Sequence, residues 1–189
     1  MRVIAGKYRS RRLQSLPGLD LRPTADRLRE TLFDVLTAGN PAALERTVWI
    51  DLYAGTGAVG IEALSRGADM VYFVEVSAKA AELIRKNLQT LEVAAGFQVL
   101  HQDVTKALRG LETRNLQADF VFLDPPYRME QAYRQTLEAL AMSKLLKPAS
   151  VVMAEHQKKF DPGAKAASLD RYRLLQQGDA ALSFYRTNL

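Results

Sequence analysis

The chain has 189 residues, 48% of them hydrophobic and 25% charged, which suits one globular domain, residues 1–189, large enough for a sheet covered on both faces. It has no cysteine, which excludes a disulfide framework, a thiolate metal site and a thiol nucleophile, and no apolar run approaches the length of a membrane span. The opening Met1-Arg2-Val3-Ile4-Ala5-Gly6-Lys7 is too short an apolar stretch for a signal peptide, so a soluble, cytoplasmic protein is expected.

The formal charge of +5 is unevenly placed. Residues 1–30 hold eight basic and three acidic side chains, and the remainder balances. Arginine dominates the excess, and its planar, weakly hydrated fork suits phosphate, so a polyanionic partner is favoured over an ordinary solvated basic face. Residues 2–16 alternate short apolar pieces with this cluster, which predicts a small hairpin or extended arm within residues 1–22. Such an arm projects charge rather than building core. Arg2, Lys7, Arg9, Arg11, Arg12 and Arg22 are its candidate contacts to nucleic acid. Pro17-Gly18 breaks the arm. After Arg22-Pro23-Thr24, a helical pattern places Leu28, Leu32, Phe33, Val35 and Leu36 on one face until Asn40-Pro41.

Between Thr47 and Gly60, the apolar run Val48-Trp49-Ile50 leads into Asp51-Leu52-Tyr53-Ala54-Gly55-Thr56-Gly57-Ala58-Val59-Gly60. It reads as strand, glycine turn and helix, the arrangement that brings backbone close to a nucleotide-sized ligand. The literal G-x-G-x-x-G match is weak by itself, because glycine turns also serve packing. Asp51 is the informative departure: a carboxylate at the end of the strand repels a pyrophosphate but accepts hydrogen bonds from an ammonium group. Asp51-Leu52-Tyr53-Ala54-Gly55-Thr56-Gly57 closely resembles the first motif of methyltransferases that use S-adenosyl-L-methionine. That resemblance makes Asp51, Tyr53, Gly55, Thr56 and Gly57 candidate cofactor contacts.

The following helix, about Ala58 to Ser65, stops at Gly67, and the strand Val71-Tyr72-Phe73-Val74 ends in Glu75. Glu75 lies 18 residues beyond Gly57, close to where such a unit places an acid for ribose hydroxyls. Ser77 suits the N-cap of the next helix. A third strand, Phe97-Gln98-Val99-Leu100, precedes Asp103 and Val104. Asp103 can accept from an adenine amino group or cap the helix that begins beside it, and both readings stand. His101 and His156 have neither metal-ligand nor triad spacing, so no metal is expected.

The second informative stretch is Asp119-Phe120-Val121-Phe122-Leu123-Asp124-Pro125-Pro126-Tyr127, a buried strand stiffened at its carboxyl end by two prolines. An amine conjugated to a base is a poor nucleophile, so its alkylation calls for acceptors that hold its hydrogens while its nitrogen faces the methyl. Asp124 and the Pro125 carbonyl offer those acceptors, Pro126 limits the backbone further, and Tyr127 offers a face for a flipped base. The four residues resemble the Asp-Pro-Pro-Tyr or Phe signature of amino-group methyltransferases, which makes them the candidate catalytic set. A helical pattern follows from Met129 to Leu146. A fifth strand, Ser150 to Ala154, ends in Glu155, which is left outside the catalytic set, and the basic loop 157–170 gives little signal. Tyr172–Leu175 and Ala181–Tyr185, joined around Gly178-Asp179, read as a closing antiparallel pair. These elements predict a Rossmann-like α/β fold, with a seven-stranded, mainly parallel sheet in the order 3-2-1-4-5-7-6 and helices on both faces.

Gly6-Lys7-Tyr8-Arg9, followed by Arg22-Pro23-Thr24-Ala25-Asp26-Arg27-Leu28-Arg29-Glu30-Thr31-Leu32-Phe33, closely resembles the N-terminal signature of the RsmD family of 16S ribosomal RNA guanine-N2 methyltransferases. The match continues through most of the chain. Ser77, Gln177 and Ala180 depart from residues the family often has there. The resemblance implies a monomeric enzyme acting on 16S rRNA or the assembling small ribosomal subunit, with the N2 amine of one guanine as its target. The four-residue motif also fits an amino-methyltransferase acting on adenine N6 or cytosine N4 of another RNA or DNA, and two rivals of other classes remain: a dinucleotide oxidoreductase, opposed by Asp51, and a non-catalytic RNA-binding module, which leaves the two converging motifs without a role.

Overall fold

A computed structural model describes residues 1–15 and 23–188. Arg22 lies outside them, as does most of the expected arm boundary. The central strand β1 (Val48–Leu52) pairs in parallel with both β2 (Met70–Glu75) and β4 (Ala118–Leu123). Strand β3 (Phe97–His101) extends the parallel set beyond β2, and β5 (Leu146–Gln157) extends it beyond β4. Antiparallel strands β6 (Lys165–Ala166), β7 (Leu169–Gln177) and β8 (Ala180–Thr187) complete one sheet in the order β3-β2-β1-β4-β5-β8-β7-β6.

The expected order is present with an eighth strand at the edge. The extra strand, β6, is two residues long, too short to show in a sequence pattern. Strand β5 also begins earlier than expected, on the far side of Pro148. Pairing of β4 with β5 jumps from Ala118↔Leu146 to Phe120↔Val151, so the proline falls in a bulge where no ladder donor is needed. Within that bulge Lys147 N–H donates to Ser150 Oγ at 2.7 Å instead.

Burial on both faces explains the apolar strands. Trp49, Phe122 and Met153 point to one side, where they pack with α1 (Pro23–Thr37), α2 (Ala58–Ser65) and α3 (Ala78–Thr90). Ile50, Val121 and Val152, each one residue away, point to the other side, towards α4 (Val104–Glu112) and α5 (Glu130–Met142). Trp49 is stacked between Phe33 and Phe120 at centroid distances of 5.5 and 4.9 Å. Leu28, Leu32 and Phe33 are the fully buried part of the apolar stripe of α1, and Ser77 caps α3 as its sequence suggests.

The arm corrects one expectation. Arg2, Lys7, Arg9, Arg11 and Arg12 are exposed, yet Val3 and Leu13 are buried in the core, so the arm builds core as well as projecting charge. It is a narrow hairpin closed by an Arg2↔Arg12 bridge and laid against α2. The fully buried Glu62 accepts from Ile4 N–H (2.7 Å), Ala5 N–H (2.9 Å) and Arg66 Nε (2.8 Å). Ser65 receives the Lys7 and Tyr8 amides on its carbonyl and hydroxyl oxygens. Gly6 makes the approach feasible, because a Cβ there would fall 1.8 Å from the Ser65 carbonyl oxygen.

Replacing Glu62 with Ala leaves buried donors of the arm unpaired, so Glu62→Ala is expected to destabilise the fold by about 2–4 kcal/mol and expose Arg9–Arg12 to trypsin. Denaturant titration and limited proteolysis measure both. A wild-type midpoint with an uncut arm would remove Glu62 as the anchor.

Candidate active site

The glycine turn begins where β1 stops. Tyr53, Gly55 and Gly57 have positive φ values of 59°, 55° and 76°, and Gly57 stands as the N-cap of α2 in the left-handed region that glycine adopts without penalty. Tyr53 carries that conformation with a side chain, held by its hydroxyl against Thr136 Oγ1 at 2.9 Å. Two of the expected acids organise this turn. Asp51 Oδ2 accepts from Gly60 N–H at 2.9 Å, and Glu75 accepts from Gly55 N–H and Ser77 N–H, both at 2.8 Å. Each carboxylate has about four lone-pair sites, so the turn uses only part of its acceptor capacity.

Thr56 is tied to the arm by a residue that sequence reading missed. Asn87 of α3 is buried; its Nδ2 donates to the carbonyls of Thr56 and Gln14, both at 3.1 Å, and its Oδ1 accepts from Gln14 N–H at 2.8 Å. The signal was a polar residue among Leu83, Ile84 and Leu88 on the apolar face of a helix. Asp103 caps α4: Oδ1 accepts from Thr105 N–H at 2.8 Å and Lys106 N–H at 3.4 Å. The Val104 side chain packs into the core beside it.

The second stretch arrives at the same edge of the sheet. Leu123 pairs with Ala154, so Asp124, just past β4, lies beside Glu155 of β5, and Asp51 lies near the end of β1 on the other side of β4. Burial raises the proton affinity of all three. Asp51 is pushed up to about 8 mainly by burial, with Glu75 adding and the Gly60 hydrogen bond opposing. Asp124 is raised by burial, then by the charges of Glu155 and Asp51. Glu155 is raised to about 7 by burial, against a hydrogen bond from Tyr127 and the charge of Arg29. Asp124 and Glu155 each keep part of their surface open to solvent. Crowded acids of this kind are relieved by a cation, so the edge is built for a positively charged ligand. Among the described residues, no group of His, Cys, Asp or Glu is placed to hold a metal ion.

The Pro125 carbonyl is fixed by another residue that was missed. Tyr133, fully buried on α5, donates its hydroxyl to the carbonyls of Pro125 (3.1 Å) and Glu155 (2.9 Å). Burial raises the Tyr133 phenol, which keeps it a donor, and the Pro125 oxygen retains a second lone pair. An aromatic residue on an apolar helix stripe gives no warning of this role. Pro126 continues the turn by accepting from Met129 N–H at 2.7 Å. Tyr127 remains 39% exposed and borders an open cavity of about 550 Å³ lined also by Arg128, Met129 and Gln135. The glycine-turn residues and Asp124–Tyr127 are thus brought to one edge, while Arg9, Arg11 and Arg12 lie on the exposed arm.

The sign of the pH dependence follows from the raised values at Asp51 and Glu155. The fold favours their neutral forms, so their contribution to stability is complete below about pH 4 and is lost as pH rises through about 7 to 8. Thermal unfolding of the ligand-free protein is expected to move to lower temperature between about pH 4 and 8, and Asp51→Asn to flatten that fall. A wild-type midpoint constant over that range would remove both assignments.

Comparison with known proteins places this geometry in a family. The chain is 36% identical over 159 residues to ribosomal RNA small subunit methyltransferase D of Haemophilus influenzae, covering 84% of this chain and 79% of that protein. The protein of the same name from Escherichia coli K12 is 37% identical over 128 residues, covering 68% and 61%. Among solved structures, a hypothetical protein of Thermus thermophilus superposes with a TM-score of 0.81 at 27% identity, covering 97% of this chain and 98% of that one. The family described as conserved hypothetical protein 95 matches residues 1–186, and the chain belongs to it, the RsmD family that its arm and two motifs resemble.

Proposed function

We propose that this protein is an S-adenosyl-L-methionine-dependent methyltransferase that modifies the exocyclic N2 amine of a guanine in 16S ribosomal RNA. The observation that carries the reading is the meeting of Asp51 and Glu75 at the glycine turn with Asp124-Pro125-Pro126-Tyr127 on one sheet edge. The buried acids fit a cofactor with an ammonium group and a sulfonium and no phosphate. The RNA reading is supported by the names of the relatives and by the exposed arginines of the arm. The choice of guanine N2 rests on the N-terminal resemblance.

In this reading, Asp51 accepts from the cofactor's ammonium group, and Glu75 adds an acceptor for its ribose hydroxyls. When bound, the cofactor supplies an electrophilic methyl group, transferred as its carbon–sulfur bond breaks and the sulfur leaves as a neutral thioether. Asp124 accepts one hydrogen of the target amine and the free lone pair of Pro125 O accepts the other, which fixes the nitrogen for attack. Once the new carbon–nitrogen bond forms, the excess proton passes to the Asp124 carboxylate, whose raised proton affinity suits it to receive one. Tyr133 keeps the Pro125 carbonyl in place throughout. Tyr127 offers its exposed ring for stacking on the base.

Mass spectrometry of 16S rRNA from a deletion strain tests the target: one N2-methylguanosine should vanish and return with the wild-type gene. Loss of a methyl from adenine N6 or cytosine N4 would transfer the activity to that amine. Asp124→Asn replaces an acceptor with a donor that faces the amine's own hydrogens. It is therefore expected to lower kcat about 10²-fold with little change in KM, whereas Tyr127→Ala should also raise the KM for RNA. Single-turnover methylation separates the two, and a wild-type rate for Asp124→Asn would overturn its role. Charge reversal at Arg9, Arg11 and Arg12 should weaken RNA binding and reduce its salt slope by about one per lost phosphate contact, leaving cofactor affinity unchanged. An unaltered slope in salt-dependent binding assays would make the cluster a solvated face.

A further inference from the structure

Glu155 is a partly buried acid that the proposed chemistry does not use. It follows Ala154 inside β5, where it pairs with Leu182 of β8, beside Asp124 and on the side of β4 away from β1. The residues given to the cofactor, Asp51 and Glu75, belong to β1 and β2, on the opposite side of Asp124. Glu155 therefore lies on the side of Asp124 away from the cofactor residues. Its carboxylate accepts a hydrogen bond from Tyr127, the residue assigned to stack on that base. Its charge is supported by Arg29, a guanidinium 5% exposed, which donates to Arg2 O at 2.7 Å and Asp26 Oδ1 at 3.0 Å. Neighbouring strands lie about 4.8 Å apart, a span that one purine edge covers.

We propose that Glu155 is the residue that selects guanine, by accepting the N1–H that only guanine presents beside its exocyclic amine. The inference rests on the guanine-N2 reading above and deepens it. The edge of guanine that carries the amine has three hydrogens, two on N2 and one on N1. The site brings three acceptors together at this edge: Pro125 O, Asp124 and Glu155. Adenine and cytosine have an amine with two hydrogens and a bare ring nitrogen next to it, whose lone pair opposes a carboxylate. Asp124 and Pro125 thus serve any exocyclic amine, and Glu155 makes the edge specific. Tyr127, through its hydrogen bond, and Arg29, through its charge, are positioning residues that favour the ionised carboxylate.

The test uses reconstituted small subunits with either guanine or 2,6-diaminopurine at the methylated nucleotide. Diaminopurine keeps the N2 amine but replaces N1–H with a lone pair. Wild-type enzyme is expected to favour guanine by roughly ten- to hundredfold in kcat/KM, and Glu155→Gln, whose amide both accepts and donates, to bring the two bases close to parity. Equal wild-type rates on the two bases, or an unchanged preference in Glu155→Gln, would each overturn the proposal. If Glu155→Gln fails to fold, judged by its unfolding temperature and cofactor affinity, the wild-type comparison still decides whether N1–H is read. The position of the methyl group, mapped by mass spectrometry, separates the two levels: a methyl group away from N2 defeats the guanine-N2 reading, and a methyl on N2 without base preference defeats only the role of Glu155.

Discussion

Parallel pairing of β1 with β2 on one side and β4 on the other forces three strands to end on the same edge. Since β5 is parallel to β4, a fourth strand joins them. Each of β1, β2, β4 and β5 carries an acid near or just beyond its carboxyl end: Asp51, Glu75, Asp124 and Glu155. Packing then buries this edge enough to raise Asp51, Asp124 and Glu155. The fold tolerates this because Gly55, Ser77 and Gly60 amides and the Tyr127 hydroxyl satisfy part of the negative charge. What remains is an affinity for positive charge and for donor hydrogens, the two properties a sulfonium cofactor and an aromatic amine present.

The arm and this edge are parts of one packed unit. Asn87 holds Gln14 of the arm and Thr56 of the glycine turn with one amide group, and Arg29 touches the Arg2 carbonyl while its charge acts on Glu155. The arm's backbone is spent on these contacts and on Glu62 and Ser65, which leaves its basic side chains facing outward. The exposed basic side chains of the arm and the acid-lined edge are therefore held in fixed relation.

Much of this was legible in the sequence because buried parallel strands and glycine turns leave strong local patterns. Val48-Trp49-Ile50 and Phe120-Val121-Phe122 are continuous apolar runs since both of their faces are covered, and the acid at the end of each stands out. Contacts between distant segments left weaker traces. Glu62 and Asn87 look like ordinary polar helix residues until the arm is seen against them, and Val3 and Leu13 are too isolated to suggest core. Tyr133 has the spacing of a packing residue and does pack; only its hydroxyl, aimed at Pro125, gives it a second task. Pro148 suggested a strand boundary because a proline is excluded from a regular ladder, and a bulge removed the exclusion.

The chain contains a single tryptophan, Trp49, and it lies in the middle of β1, fully buried and stacked between rings from α1 and β4. Its indole Nε1 has no hydrogen-bond partner among the described residues. The molecule thus carries one optical probe in an apolar, ring-lined setting, two residues before Asp51. Its emission reports on the packing of the helix after the arm against the central strands, free of overlapping signals from other indoles. A light-based readout of the strand that leads into the site is built into the protein without any label.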